Sequence, residues 1–240
     1  MKIILQAIKS LLNNIQKLAE SANAAANSKL ERVNPRPEGS IAMGENVFAT
    51  GKNSIAIGFG VDATVFKHSA SGEGSAAFGR ACTASNEGAF ACNSFTRARG
   101  LHSFASGDGT TASGPCAHSE GMGTTASGYY AHAEGNECIA SAIATHAAGQ
   151  GTIAAKPYQY VHGRYNLEDT SANDGLYAHI VGNGEHDGAR SNAHTLDWDG
   201  NAWFAGTVEG TALILSSPSG KRFEITVADD GTLTTTEVTE

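Results

Sequence analysis

AHSEGMGTTASGYY-AHAEGNECIASAIA, residues 117–144, is one block of 14 residues written twice. The block recurs from Ser40 to about Tyr158, with starts at Ser40, Ser54, Ser75, Ala89, Ser103, Ala117, Ala131 and Thr145. Its fifth place holds Gly44, Gly58, Gly79, Asn93, Gly107, Gly121, Gly135 and Gly149. Its third place is Ala in seven blocks and Ser119 in the other. Its tenth reads Ala49, Ala63, Ala84, Ala98, Ala112, Ala126, Ala140 and Ala154. A half-block, His68 to Gly74, reads as the one interruption. Periodicity of this kind marks a repeat architecture.

Fourteen residues are too few for a helix pair and suit two short strands with two tight turns. The alternation in Ser-Ile-Ala-Met-Gly (40–44) and Ser-Ile-Ala-Ile-Gly (54–58) is the period-2 signature of a strand. Glycine at a fixed place allows a positive φ where the chain bends. Alanine at two fixed places leaves room for a thin core. The economical solution is a parallel β-roll with one coil per block. At roughly 4.8 Å per coil, eight and a half coils make a rod of about 40 Å. A hexapeptide β-helix competes poorly, because 14 is not a multiple of six and no apolar residue recurs at every sixth place.

Place two reads Ile41, Ile55, Ala76, Phe90, Phe104, His118, His132, His146. Place four reads Met43, Ile57, Phe78, Cys92, Ser106, Glu120, Glu134, Ala148. Both lie on the strand face opposite the small residues. An apolar stripe of this length makes a lone chain sticky, so its N-terminal half is expected to be buried between chains. The face turns polar toward the C-terminal half.

The first 33 residues carry Ile4, Ile8, Leu11, Ile15, Leu18, Ala22 and Ala25 at alternating spacings of four and three. That is a coiled-coil seam over three heptads, with Lys2, Lys9, Lys17 and Glu20 off it. A lone amphipathic helix packed on a domain is the plainer alternative. Ile alternating with Leu favours two strands, whereas a roll with an apolar seam is better served by three. The roll decides, and a homotrimer is expected. Pro35, Pro37 and Gly39 end the helix.

Composition narrows the function. A net charge of −8 argues against sequence-independent nucleic-acid binding. No apolar stretch is long enough to span a membrane. Gln6 and Lys9 interrupt the N-terminal apolar run, and no signal peptide is read there. Cys82, Cys92, Cys116 and Cys138 have neither zinc-finger nor disulfide-framework spacing.

The pattern Ser-x-Ala-x-Gly, followed five places on by Ala, resembles the head repeats of trimeric autotransporter adhesins. That resemblance implies a left-handed β-roll and a trimer. Ala131 to Gly135 (AHAEG) and Thr124 to Gly128 (TTASG) look more like structural proteins of Gram-positive phages and prophages. So do Tyr160 to Asn166, His179 to Gly184, and the run Ser191 to Gly206. The resemblance covers roughly 40–210. It implies a phage tail fibre or appendage, made in the host cytoplasm and carried on the virion, with other tail proteins as partners. A secretion signal and a membrane-anchor barrel, expected of an adhesin, are not read in the chain.

Several side chains are candidate sites. His118, His132 and His146 recur 14 apart, with Glu120 and Glu134 beside the first two. A trimer makes each a ring of three, which can ligate a transition metal. The plainer reading, adopted here, is a hydrated polar axis in which Glu pairs with His. No cofactor is expected. Asp197-x-Asp199-x-Asn201 imitates the start of a calcium loop, but Ala202 and Val208 stand where that loop needs Gly and Glu. A two-residue hairpin turn at Asp199-Gly200 explains it better. His179, His186, His194, Asp187 and Asp197 suggest a hydrolytic site on paper, yet no nucleophile motif accompanies them. Trp198, Trp203 and Tyr177 are the candidate contacts for a bacterial surface glycan or protein, with Trp203 also expected to fill a small core.

The expected fold is therefore mainly β. A trimeric coiled-coil helix (1–33) and a linker (34–39) precede the β-roll (40–158). A small β-rich head (159–211) and a β-meander (212–240) follow, the last with turns at 218–220 and 229–231. The expected role is attachment without catalysis. A trimeric bacterial surface adhesin is the second reading. A tailspike-type polysaccharide hydrolase, with two carboxylates at glycosidase spacing, is the third.

Overall fold

The computed structural model describes Gln6, Lys9 and residues 12–21, 37–62, 67–209 and 213–238. A short helix, α1, covers 12–21. Apart from the helical Gln6 and Lys9, everything else regular among the described residues is strand. The first coils are β1 (Ile41–Glu45), β2 (Val47–Ala49), β3 (Ile55–Phe59), β4 (His68–Ala70), β5 (Ala76–Arg80) and β6 (Thr83–Ala84). Next come β7 (Phe90–Ser94), β8 (Arg97–Ala98), β9 (Phe104–Asp108), β10 (Thr111–Ala112), β11 (His118–Met122) and β12 (Thr125–Ala126). Then follow β13 (His132–Asn136), β14 (Ile139–Ala140), β15 (His146–Gln150), β16 (Ile153–Ala154), β17 (Tyr160–Arg164), β18 (Tyr177–Asn183) and β19 (Asn192–Asp197). The chain divides into two compact units, 1–202 and 203–240, within β20 (Ala202–Phe204).

In the first unit the odd-numbered strands β1 to β17 form one parallel sheet, and the even-numbered strands β2 to β16 form a second. This is a β-solenoid of about nine turns. The expected repeat is its coil. Partners lie 14 apart, as in Phe90↔Phe104 and Thr111↔Thr125.

Four columns fill the interior. Places three and ten are the expected alanines, such as Ala77, Ala91, Ala105, Ala84 and Ala98, each fully buried. Place one adds Ser54, Ser75, Ala89, Ser103, Ala117, Ala131 and Thr145. Where it is Ser or Thr, the hydroxyl donates across the turn, as from Ser103 Oγ to Gly100 O at 2.7 Å. The fourth column, place eight, is Val47, His68, Cys82, Thr96, Thr110, Thr124, Cys138 and Thr152, all buried. Its polarity varies and only its modest size is shared.

The turns repeat as faithfully as the strands. Place 14 is left-handed in coil after coil, whether Asn53 (φ 56°), Gly88 (59°), His102 (54°) or Tyr130 (59°). Glycine is favoured at place five for a different reason, with Asn93 (φ 84°) the exception among the eight blocks. Gly107 has φ +105°, and a Cβ there would lie 2.0 Å from the carbonyl oxygen of Gly121 on the next coil. At Gly107 the next coil leaves no room for a Cβ on this backbone.

The interruption lies elsewhere than expected. Ile55 pairs with Ala76 and Ala49 with Ala70, each 21 apart. Thus β4 completes the second coil, Ala70 takes the tenth place, and the inserted seven residues are 61–67. The chain leaves at Gly60, whose N–H donates to Glu45 O at 2.9 Å, and returns at His68, whose N–H donates to Asn46 O at 3.3 Å. Ala63 lies outside the described residues. Both placements keep the period, so only pairing decides between them.

The roll also runs beyond 158. β17 pairs parallel with β15, and β18 pairs parallel with β17. β19 turns back antiparallel on β18. Hence 159–197 continues the first sheet rather than forming a separate head. Val161 and Ile180 extend the buried core. The second sheet ends differently. Ile153 of β16 donates its N–H to Asn166 Oδ1 at 2.8 Å, and Asn166 Nδ2 donates to Ile153 O at 3.1 Å. A buried side-chain amide thus stands in for the peptide of an absent next strand and blocks an open edge.

In the second unit, β21 (Leu213–Ser216), β22 (Arg222–Val227) and β23 (Leu233–Glu237) form the expected antiparallel meander. Gly220 and Gly231, with φ of 84° and 83°, close its turns. Leu213, Leu215, Val227 and Leu233 are exposed in the single chain.

Of the proposed N-terminal seam, Ile15 and Leu18 lie in α1, 55% and 70% exposed in the single chain. Ile4, Ile8, Leu11, Ala22 and Ala25 lie outside the described residues. No helix among the described residues is long and apolar enough to cross a membrane.

Candidate functional site

Place two faces out, because place three faces in. In-register pairing then stacks place two of each coil over the last: Phe90, Phe104, His118, His132, His146, Tyr160, His179. Strand spacing sets ring spacing, so a continuous ring ladder results. Centroid distances are 5.3 Å for Phe90–Phe104, 4.7 Å for Phe104–His118, and 4.5 Å for both His118–His132 and His132–His146. The ladder continues through His146–Tyr160 at 4.9 Å and Tyr160–His179 at 5.5 Å to His179–His194 at 5.4 Å. His162 joins it from place four, 5.0 Å from His179.

The two carboxylates lie beside this ladder. Glu120 reaches two histidines at once. Its Oε2 is 3.8 Å from His118 Nε2 and its Oε1 is 3.8 Å from His132 Nε2. Glu134 Oε1 meets His146 Nε2 at 3.2 Å. The expected Glu–His pairing is therefore present, but each carboxylate also serves the following coil. Burial, then the neighbouring His132, holds His118 below the usual imidazole range, against the pull of Glu120. Burial, then His162 and His194, does the same to His179. His118 and His179 thus favour the neutral form, each with another imidazole about 4.5–5.4 Å away.

The other candidates separate. Tyr177 packs against the core, and its N–H donates to Asp169 Oδ2 at 3.1 Å, which makes it a structural residue in the single chain. Burial raises Asp169, but donors from Ser171, Tyr177 and Leu176 outweigh it and hold the carboxyl below its usual range. Trp198 is half exposed, in a turn running from Asp197 to Gly200 rather than directly before one. The turn has three loop residues and a left-handed Gly200 (φ 87°), the bulged alternative to a two-residue hairpin. Asp197 organises it: Oδ1 accepts the Asp199 and Asn201 N–H groups at 3.0 and 2.7 Å. That occupies the carboxylate of the calcium-like motif. Trp203, in the second unit, is 55% exposed in the single chain rather than filling a core.

The residues of the paper hydrolytic site are engaged elsewhere. Asp187 holds Arg190, which also donates to Gly151 O at 2.8 Å and Asn166 O at 3.2 Å. His186 Nδ1 accepts the Gly188 N–H at 3.2 Å. All four cysteines are free thiols. Sequence reasoning does not single out Tyr160, His162, His179 and His194 as ladder members. A signal exists for Tyr160, since it is place two of the next 14-residue step.

Residues 38–60 and 105–131 each match the YadA head domain repeat. The first segment holds β1 to β3, and the second holds His118 of the ladder. They are a minority of the chain. No curated protein matches it.

Proposed function

We propose that the chain is a non-enzymatic, homotrimeric attachment subunit whose roll is a rigid spacer, carried on a phage tail fibre or appendage. One observation carries the reading: the outward face of the first sheet is apolar where it starts. Ile41 and Met43 are 44% and 50% exposed in the single chain, and Ile55, Ile57, Phe78, Phe90 and Phe104 follow on the same face, each partly buried. Completing the burial of such half-covered side chains is worth roughly 1 kcal/mol each, half the value for full burial. Seven together give on the order of several kcal/mol per chain toward association. The likeness to the YadA head repeat supports a trimeric, left-handed roll.

The phage setting rests on the SHAEG-type and TASG-type blocks and on the run from Ser191 to Gly206. Made in the host cytoplasm and released by lysis, such a subunit needs no export. Its partners are other tail proteins and a bacterial surface glycan or protein, with Trp198 and Trp203 as exposed aromatic contacts. The YadA head match equally favours a trimeric bacterial surface adhesin. Antibody labelling separates the two: decoration of purified virions supports the phage reading, and decoration of intact cells without virions overturns it.

A further inference from the structure

Three clusters stand out beyond attachment: the His–Glu ladder, the apolar face of the C-terminal meander, and the buried His68. Nothing on the meander identifies what covers it, and His68 is fully engaged in hydrogen bonds. The ladder goes further.

We propose that His118, Glu120 and His132 bind one zinc-class divalent transition ion per chain. Their donor atoms, two imidazole nitrogens and a carboxylate oxygen, lie within 4.8 Å of one another. His118 Nε2 and His132 Nε2 are shielded from solvent, yet neither makes a hydrogen bond. The polar group that faces both is Glu120, and 3.8 Å is too long for a hydrogen bond. Two buried ring nitrogens left without hydrogen bonds beside one anion are costly as they stand. A cation between them satisfies all three groups. With bonds of about 2.0–2.2 Å, a tetrahedral ion sets neighbouring donors roughly 3.4 Å apart. Donor atoms that already lie within 4.8 Å of one another reach that spacing by side-chain shifts on the order of an ångström.

The chemistry selects the ion class. Two imidazoles and one carboxylate suit zinc and its neighbours, whereas calcium and magnesium require mostly oxygen donors. Phe104 packs edge-on beneath His118 at 4.7 Å and forms an apolar floor. Glu120 and both rings remain partly exposed, which leaves a fourth position open to water.

A second triad, His132, Glu134 and His146, has similar spacing. It shares His132, and one imidazole Nε2 serves one ion. Its His146 is already satisfied by a 3.2 Å contact with Glu134. The first triad is therefore the site, and the stoichiometry is one. This differs from the ring of three equivalent histidines weighed, but not adopted, in reading the sequence, because the ligands come from adjacent coils of a single chain.

The test uses the full chain, stripped with chelator and titrated calorimetrically with Zn²⁺, and with Co²⁺ for its visible absorption. Saturation at one ion per chain and a raised melting temperature are expected. His118→Phe and Glu120→Ser install the residues found one coil earlier, Phe104 and Ser106, so both variants should fold, as circular dichroism will show. Each should lose more affinity than the roughly 10–100-fold that loss of a supporting partner costs. His146→Phe should bind as wild type does. Absence of saturable binding, wild-type affinity in His118→Phe, or an equal loss in His146→Phe would each overturn the assignment. The readout is per chain, so it succeeds or fails independently of the attachment role.

Discussion

His68 holds the next coil through Cys82: the Cys82 N–H donates to His68 Nδ1 at 3.2 Å, while His68 Nε2 donates to Ala77 O at 3.0 Å. The ring is fully buried and its tautomer is fixed with Nδ1 as acceptor. Burial keeps the imidazole below its usual range, against hydrogen bonds to Ala77 and Ile57 that pull it up. A proton on Nδ1 would face the Cys82 N–H. The unfolded chain therefore takes the proton first as pH falls. Stability is full above about 6.5 and declines as pH drops from there toward the lower folded value. His68→Thr installs the residue of Thr96, Thr110 and Thr124 in the same column. Between pH 7.5 and 5, the melting temperature of wild type should fall further than that of His68→Thr. Equal falls would show that His68 titrates as it does in the unfolded chain.

Two glycines two residues apart should behave oppositely. In Gly107→Ala the new Cβ meets the Gly121 carbonyl oxygen at 2.0 Å, and backbone cannot yield without breaking the stack. Gly109 also has a positive φ, 67°, but nothing lies within 4 Å of where its Cβ would sit. Asn46, Ala81, Phe95 and Glu137 occupy the equivalent place in other coils. Gly109→Ala should cost about 1–2 kcal/mol, the ordinary penalty for a left-handed alanine. Gly107→Ala should cost several-fold more or prevent folding. Denaturant unfolding decides it, and similar midpoints would mean the coils are less closely stacked than described.

Asn166 guards the open edge of the second sheet through Ile153. Asn166→Ala leaves a strand N–H and C=O unpaired beside a small cavity. A loss of about 1–3 kcal/mol is expected, with earlier hydrogen exchange at Ile153 than elsewhere in β16. Unchanged exchange at Ile153 would contradict the capping role.

Much of this fold is legible in the repeat, because small size at places three and ten is a geometric necessity and glycine fills place five in every block but the one with Asn93. Place eight is hidden for the converse reason. Val47, His68, Cys82 and Thr96 differ in polarity and His68 is also larger, so hydrophobic patterning does not register the column. The insertion shifts by a half-block between sequence and structure because Ala63 and Ala70 fit the period equally well. The closing strands β17 to β19 read as a separate head because Tyr160 and His179 pair at a spacing of 19 rather than 14. At the candidate site, the histidine column follows from the period, whereas the reach of Glu120 to two coils depends on side-chain geometry.

Trp198 and Trp203 offer exposed aromatic surface, and the proposed attachment role assigns recognition to them. Trp198→Ala removes a turn side chain whose local backbone is held by Asp197, so folding should be unchanged and attachment to host cells should weaken. Trp203→Ala should likewise leave the melting temperature of the roll unchanged. If Trp198→Ala attaches as wild type does, this turn plays no part in recognition.

The central claim is that the outward face of the first sheet is closed by two further copies of the chain. Sedimentation equilibrium at micromolar concentration tests it most directly. The account predicts a mass about three times 24.7 kDa, and a loss of several kcal/mol of assembly stability in Ile57→Asp, which places an unpaired charge in the packed seam. A well-folded 24.7 kDa monomer at that concentration would contradict it.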